Sequence, residues 1–218
     1  MAHKELSPDE VSILSRLISK ATLNAISGMA KMIGRDVEVR AVNLRQLTAE
    51  TLPDFLKDPD AVLIGIDLEI GGDADGNMVL IYPPQIAFGL VDLLLGNPLG
   101  QTKRLEEMGQ SALGEMGNVA GGFFLNSLAD DTGMRLLPSP PTVTADKASV
   151  LLDKAIRPCV DDDESTIFVL QTVFRTQDRQ IKGNFLVMPT PGLLYALVDH
   201  AAHVGPVLPE DIVQYQHG

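Results

Sequence analysis

Tryptophan is absent from this sequence of 218 residues, aromatic residues make up only 5%, and there is a single cysteine. A core poor in aromatics must be built from aliphatic side chains, and with 45% hydrophobic residues there are enough of them. A chain of this length buries about 70% of its unfolded surface, so it needs no covalent staple. The lone Cys159 excludes an intramolecular disulfide, which fits a reducing compartment. It is a poor nucleophile candidate, because the acidic run Asp161, Asp162, Asp163 and Glu164 follows it and negative neighbours disfavour a thiolate. Basic residues are scarce as well, 17 against 29 acidic ones, for a net charge of −12. Nucleic acid requires clustered cations and an anionic bilayer repels an acidic chain, so neither is expected as a partner. No apolar run approaches the length of a membrane span, and Met1 to Asp9 is too polar for a secretory leader, so the expected location is the cytoplasm.

What is present repeats. Ser7-Pro8-Asp9-Glu10 reads as a helix N-terminus, with Leu14, Leu17, Ile18, Ala21 and Ala25 at helical spacing up to Gly34. Strands are expected at 37–42, 61–66 and 78–81, with a turn at 71–76 and a helix from Pro83-Pro84 to about Leu95. The order then returns. A long helix is expected over 105–131, a strand at 134–137, a helix at 145–156, strands at 166–175 and 181–188, and a closing helix at 193–200. Gly76-Asn77, four apolar residues, prolines and Leu90-Val91-Asp92 recur 107 residues later as Gly183-Asn184, four apolar residues, Pro189, Pro191 and Leu197-Val198-Asp199. Nearer each start the offset is 99, pairing Ser12 with Ser111, Leu14 with Leu113, Ala30 with Ala129 and Gly34 with Gly133. The second half should therefore carry about eight extra residues, for which the acidic segment near 160 is the natural place. Two copies make a pseudo-symmetric domain over 9–203, with half-repeats at about 9–95 and 105–202 and tails at 1–8 and 204–218.

Within the second long helix, Ser111, Glu115 and Asn118 stand at i, i+4 and i+7 and form one polar stripe. Ala112, Met116, Val119, Ala120 and Phe123 are expected on the core side. Four glycines (Gly114, Gly117, Gly121 and Gly122) interrupt the helix, at about 0.8–1 kcal/mol each relative to alanine. Two readings stay open: close packing within the protein, or bare backbone that lets a partner approach. Gly122 lies on the stripe itself, which favours the second reading for that residue. Glu-x-x-Asn alone carries little weight as a motif, and its context supplies the rest.

That context, Ser111-Ala112-Leu113-Gly114-Glu115-Met116-Gly117-Asn118 continuing through Leu128-Ala129-Asp130 and Gly133 to Pro140-Pro141, resembles the signature of the CheC, CheX and FliY phosphatases. That signature has Asp or Ser, then Glu four residues on, Asn three further and a proline about 22 later; Pro140 stands at that distance from Asn118. The likeness extends over about 9–203 and leans to the CheC branch. It implies an α/β (α+β) fold, a single pseudo-two-fold domain with two long helices packed side by side on an antiparallel sheet. It also implies a phosphatase acting on the aspartyl phosphate of a CheY-like response regulator, with Glu115 and Asn118 as catalytic residues and Ser111 and Gly122 in support. Mg²⁺ would belong to the receiver, and no cofactor or metal is expected on this chain. The alternative is a non-catalytic module that binds a receiver or a flagellar switch. CheC relatives also bind CheD, a receptor deamidase, and the amphipathic helix around Ile86–Leu95 is a candidate surface for such a partner.

The first half departs from the pattern: Arg16 and Ser19 occupy the register of Glu115 and Asn118. Arginine would repel a partner lysine and serine lacks the reach of an amide, so one active site is expected. His200 and His203 could form a ligand pair, but no second pair supports them. Gly71 to Gly76 lacks both the lysine of a phosphate-binding loop and the glutamate of a calcium loop, and reads as a hairpin turn.

Overall fold

The computed structural model describes residues 7–47, 58–157, 167–176, 182–201 and 213–217. In chain order these form α1 (Pro8–Ile33), β1 (Val37–Leu47), β2 (Val62–Gly72), β3 (Gly76–Tyr82), α2 (Pro84–Leu94) and α3 (Glu107–Thr132). They continue as β4 (Leu136–Pro138), β5 (Thr142–Lys147), α4 (Ala148–Ile156), β6 (Ile167–Thr176), β7 (Lys182–Pro189), α5 (Pro191–His200) and β8 (Val213–His217). The local signals act as chemistry predicts. Ser7 accepts from the Glu10 N–H while Glu10 reaches back to the Ser7 N–H, closing a capping box on α1. Gly34 and Gly133 end α1 and α3 with φ of 61° and 72°, the left-handed conformation that only glycine adopts cheaply.

One sheet carries the fold, in the order β4-β2-β3-β7-β6-β1-β8, with β5 also paired to β2. Every pairing is antiparallel except that of β8 with β1. At its centre β3 pairs with β7, and Val79 sits opposite Leu186. Those two residues are 107 apart, the repeat offset, so the pseudo-two-fold axis passes through that pair. Across the axis the halves exchange strands: β1 pairs with β6, while β4 and β5 pair with β2.

Both faces of the sheet are covered, and β3 is buried at all seven positions. Met78, Leu80 and Tyr82 face the larger core beneath α1, α2, α3 and α5; Val79 and Ile81 face a smaller one with Leu152, Ala155 and Ile156 of α4. The two long helices on an antiparallel sheet match the expected architecture, and α4 adds a layer on the far side.

Three details differ from the sequence reading. The helix expected from 145 begins at Ala148, because residues 142–147 continue as edge strand β5. β4 and β5 are counterparts of the single strand β1, separated by Ser139, Pro140 and Pro141, whose prolines lack the N–H a ladder needs. The segment 204–218, expected as a tail, contains β8 on the open edge of β1. Cys159 and the acidic run near 160 lie outside the described residues.

Candidate functional site

α3 positions the polar stripe by lying tightly on the sheet. A Cβ on Gly117 would collide with the Ile66 side chain, and one on Gly121 would come 3.0 Å from Leu68 Cδ2 and 3.3 Å from Met78 Cε. These two glycines let the helix descend onto β2 and β3, which settles the packing alternative for them. Gly114 is less constrained, since a Cβ there would lie 3.8 Å from Pro141 Cγ and Val143 Cγ2, an ordinary contact. Gly122 differs in kind, since a Cβ there would meet nothing within 4 Å.

Ser111, Glu115 and Asn118 are all exposed. Glu115 and Asn118 are one turn apart, where side chains lie about 5–6 Å from each other at Cβ. Among the described residues neither makes a hydrogen bond or an ion pair within the chain. The segment Pro138 to Pro141 flanks the helix on the Asn118 side, with Pro141 near Gly114 and Pro138 near Gly121. On the other side lies α1. There Lys20 pairs with Asp131, and Asn24 Nδ2 donates to Ser127 Oγ at 2.9 Å.

The core face of α3 needs a correction. Met116 and Ala120 are buried as expected, but Phe123 is 43% exposed, and Ala112 and Val119 are half-buried. At 100° per residue Val119 falls about 40° from Glu115 and borders the outward stripe, while Phe123, about 80° round from Glu115, lies on the flank that faces α1. The buried face is instead centred on Leu113, Met116, Gly117, Ala120 and Phe124. Its anchor is Phe124, packed edge-on against Phe185 with centroids 5.3 Å apart. In α1 the counterpart positions are altered beyond their residue types: Ser19 is fully buried and Arg16 half-buried.

Residues 108–144 match the model of the CheC-like family. The CheY-P phosphatase CheC of Bacillus subtilis (strain 168) is 27% identical over 187 residues, a span of 84% of this chain and 90% of that protein. The segment that carries the Glu115–Asn118 pair is CheC-like. Among solved structures, FliY of Thermotoga maritima superposes with a TM-score of 0.73 at 20% identity, covering 91% of this chain and 98% of that one. FliM in the FliM–SpeE complex of H. pylori gives 0.62 at 14% identity, covering 92% and 100%. At those identities the likeness establishes the fold. The matched segment contains Ser111, Glu115, Asn118, Gly122 and Pro140.

The chain carries one polar feature that its pattern of residues did not announce. Asp92, at the end of α2, is buried, and its carboxylate accepts from the N–H groups of Gly100, Gln101 and Thr102 at 2.7, 3.0 and 2.9 Å. The Thr102 hydroxyl donates to it at 2.6 Å. Burial alone would raise the pKa of this carboxyl, but the four donors outweigh it and hold the group below its usual range. Asp92 thereby ties the connector between the halves to α2. Two grooves of about 440 and 390 Å³ flank that connector, and neither is lined by Glu115 or Asn118. The pair stands on an outward helix surface.

Among the described residues no group of three or more His, Cys, Asp or Glu is arranged to hold a metal ion. His200 Nδ1 lies 2.7 Å from the Ala196 carbonyl, one turn back on α5, and His203 lies outside the described residues. No helix among them is long and apolar enough to cross a membrane.

Proposed function

We propose that this chain accelerates hydrolysis of the aspartyl phosphate on a CheY-like response regulator, with Asn118 orienting the attacking water and Glu115 docking the regulator. The observation that carries this reading is the exposed Glu115–Asn118 pair, without a side-chain partner among the described residues, inside the segment that matches the CheC-like family. The name of the Bacillus subtilis relative, a CheY-P phosphatase, points the same way.

The residue types suit the task. A phosphoaspartate is already activated, and its loose transition state asks for positioning and charge stabilisation more than for a new nucleophile. An exposed helix suits a partner that brings the phosphoryl group and its Mg²⁺ in its own pocket. An amide both donates and accepts, so Asn118 can hold a water in line without repelling the anionic phosphoryl group. A carboxylate at that position would repel it. Glu115 is better placed as an anchor for a lysine of the regulator. Ser111 and Gly122 support the stripe, Gly122 by leaving space beside the pair.

The second reading is a receiver- or switch-binding module without hydrolysis. A FliM of this fold has been solved in complex with FliG. A CheD-like deamidase is a further candidate partner. α2 turns Ala87, Leu90 and Val91 into the core, so such a partner would meet its outward side. The cytoplasm, where response regulators work, is the location that follows from the proposal.

The experiment mixes the chain with phosphorylated receivers and follows phosphate release. Asn118→Ala should lose the acceleration by about a hundredfold or more, the usual consequence of removing one transition-state partner. Glu115→Ala should weaken binding as well, and wild-type affinity should fall with added salt. Full activity in a folded Asn118→Ala variant would refute the mechanism.

A further inference from the structure

Phe123 is a large aromatic, 43% exposed, on the surface of a chain with few aromatics. Its ring is nonetheless held in place. It lies against Gly28 of α1, where a Cβ would come 2.7 Å from Cδ2 and 3.1 Å from Cε2. Lys31 Nζ sits 5.9 Å from the ring centroid, within cation–π reach. Asn24 is the counterpart of Phe123 in the 99-residue register, and Ser127 that of Gly28. There the gap between the helices is bridged by the Asn24–Ser127 hydrogen bond, without an aromatic. The aromatic and the Glu115–Asn118 pair thus occur on the same helix, and both are missing from its counterpart.

We infer that Phe123 is an apolar anchor for the regulator, seated on Gly28 beside the Glu115–Asn118 pair, and that it sets affinity rather than chemistry. The inference rests on the phosphatase reading for the identity of the partner. Phe123 lies about 7.5 Å along the helix and about 140° around it from Asn118, on the α1 side of Glu115, which is within the span of a footprint of about 800 Å² centred on the pair. Gly122, open to solvent between them, puts no side chain in the way. A rigid aromatic on such a surface costs little conformational entropy to immobilise, the property that enriches aromatics among binding hot spots.

The test measures turnover of a phosphorylated receiver together with binding of the same receiver trapped with beryllofluoride, for wild type, Phe123→Ala, Phe123→Leu, Gly28→Ala and Asn118→Ala. Phe123→Ala should raise KM and Kd about tenfold with kcat changed less than twofold. Phe123→Leu should recover most of the affinity, and Gly28→Ala, which displaces the ring, should resemble Phe123→Ala. An unchanged KM in Phe123→Ala and Gly28→Ala beside an inactive Asn118→Ala would overturn the anchor alone. So would a loss in kcat at constant KM. A wild type that binds without hydrolysis would overturn the phosphatase reading, and the Kd of Phe123→Ala would then decide the anchor. A wild type that does neither overturns both.

Discussion

α1 and α3 are both 26 residues long, both stop at a left-handed glycine and lie against each other across one pseudo-two-fold axis, yet they present different chemistry. α3 exposes Glu115 and Asn118, whereas α1 has a half-buried Arg16 and a fully buried Ser19 in their register. Their inward faces stay alike because both serve one core: Leu14 and Leu113, which share the 99-residue register, are each fully buried. The difference teaches that repeated packing and repeated function are separate demands. A buried face is constrained by volume on every side, and an outward face is constrained only by what it must meet. The same contrast recurs one element later. Asp92 of α2 is buried under four donors, while Asp199, its counterpart in α5, is exposed.

That last contrast yields the largest effect on stability. Asp92→Ala should cost about 2–3 kcal/mol in chemical denaturation, because it removes four hydrogen bonds to a buried carboxylate, while Asp199→Ala should cost under about 0.5 kcal/mol. The pH dependence has a definite sign. A carboxyl held below its ordinary pKa in the fold contributes stability that is present above the unfolded value of about 3.9 and lost as pH falls through the lower folded value. The gap between wild type and Asp92→Ala should therefore narrow below about pH 4, and a gap that widens on acidification would show that the charge is not what holds the connector.

The glycines of α3 sharpen the comparison within one helix. Gly117→Ala drives a methyl into Ile66 and should destabilise by about 1–2 kcal/mol, the overpacking cost less the gain in helix propensity. Gly122→Ala meets open space and should stabilise by up to about 1 kcal/mol. Equal shifts in melting temperature for the two would mean that α3 does not sit on β2 as described.

The smallest expected effect tests the single-site reading. Replacing Arg16 and Ser19 with alanine should leave phosphatase activity within about twofold, because neither side chain stands on an outward surface as Glu115 and Asn118 do. Stability should not fall at Ser19, whose buried hydroxyl has no hydrogen-bond partner among the described residues. Calorimetry should count one regulator per chain. Two equivalent bound regulators, or a large activity loss, would give α1 a direct part in docking.

Much of this was legible in the residues. Caps, turns and the two helical periods are local signals, and the repeat at an offset of 107 made Val79 and Leu186 counterparts, which the β3–β7 pairing then placed on the axis. Ser111, Glu115 and Asn118 could be placed on one outward stripe because 100° per residue is a property of the helix itself. Phe123 was misplaced by the same kind of reasoning. An apolar residue near a polar stripe is assigned to the core unless the neighbouring helix is known, and what supports this ring is Gly28, 95 positions away. Asp92 was read only as part of a repeat, since nothing in an Asp at a helix end tells which N–H groups will fold over it.

The order of secondary structure apart from β5 and β8, the internal repeat, the Glu115–Asn118 stripe and the acidic character of the chain were determined by the sequence alone, because each is read from the residues themselves, from their spacing or from composition. The exchange of β1 and β5 between halves, the use of Gly117 and Gly121 for packing with Gly122 left open, the seat of Phe123 and the burial of Ser19 were decided only by the tertiary structure. Each of those depends on how close two distant segments come, a distance set by the packing of the whole core.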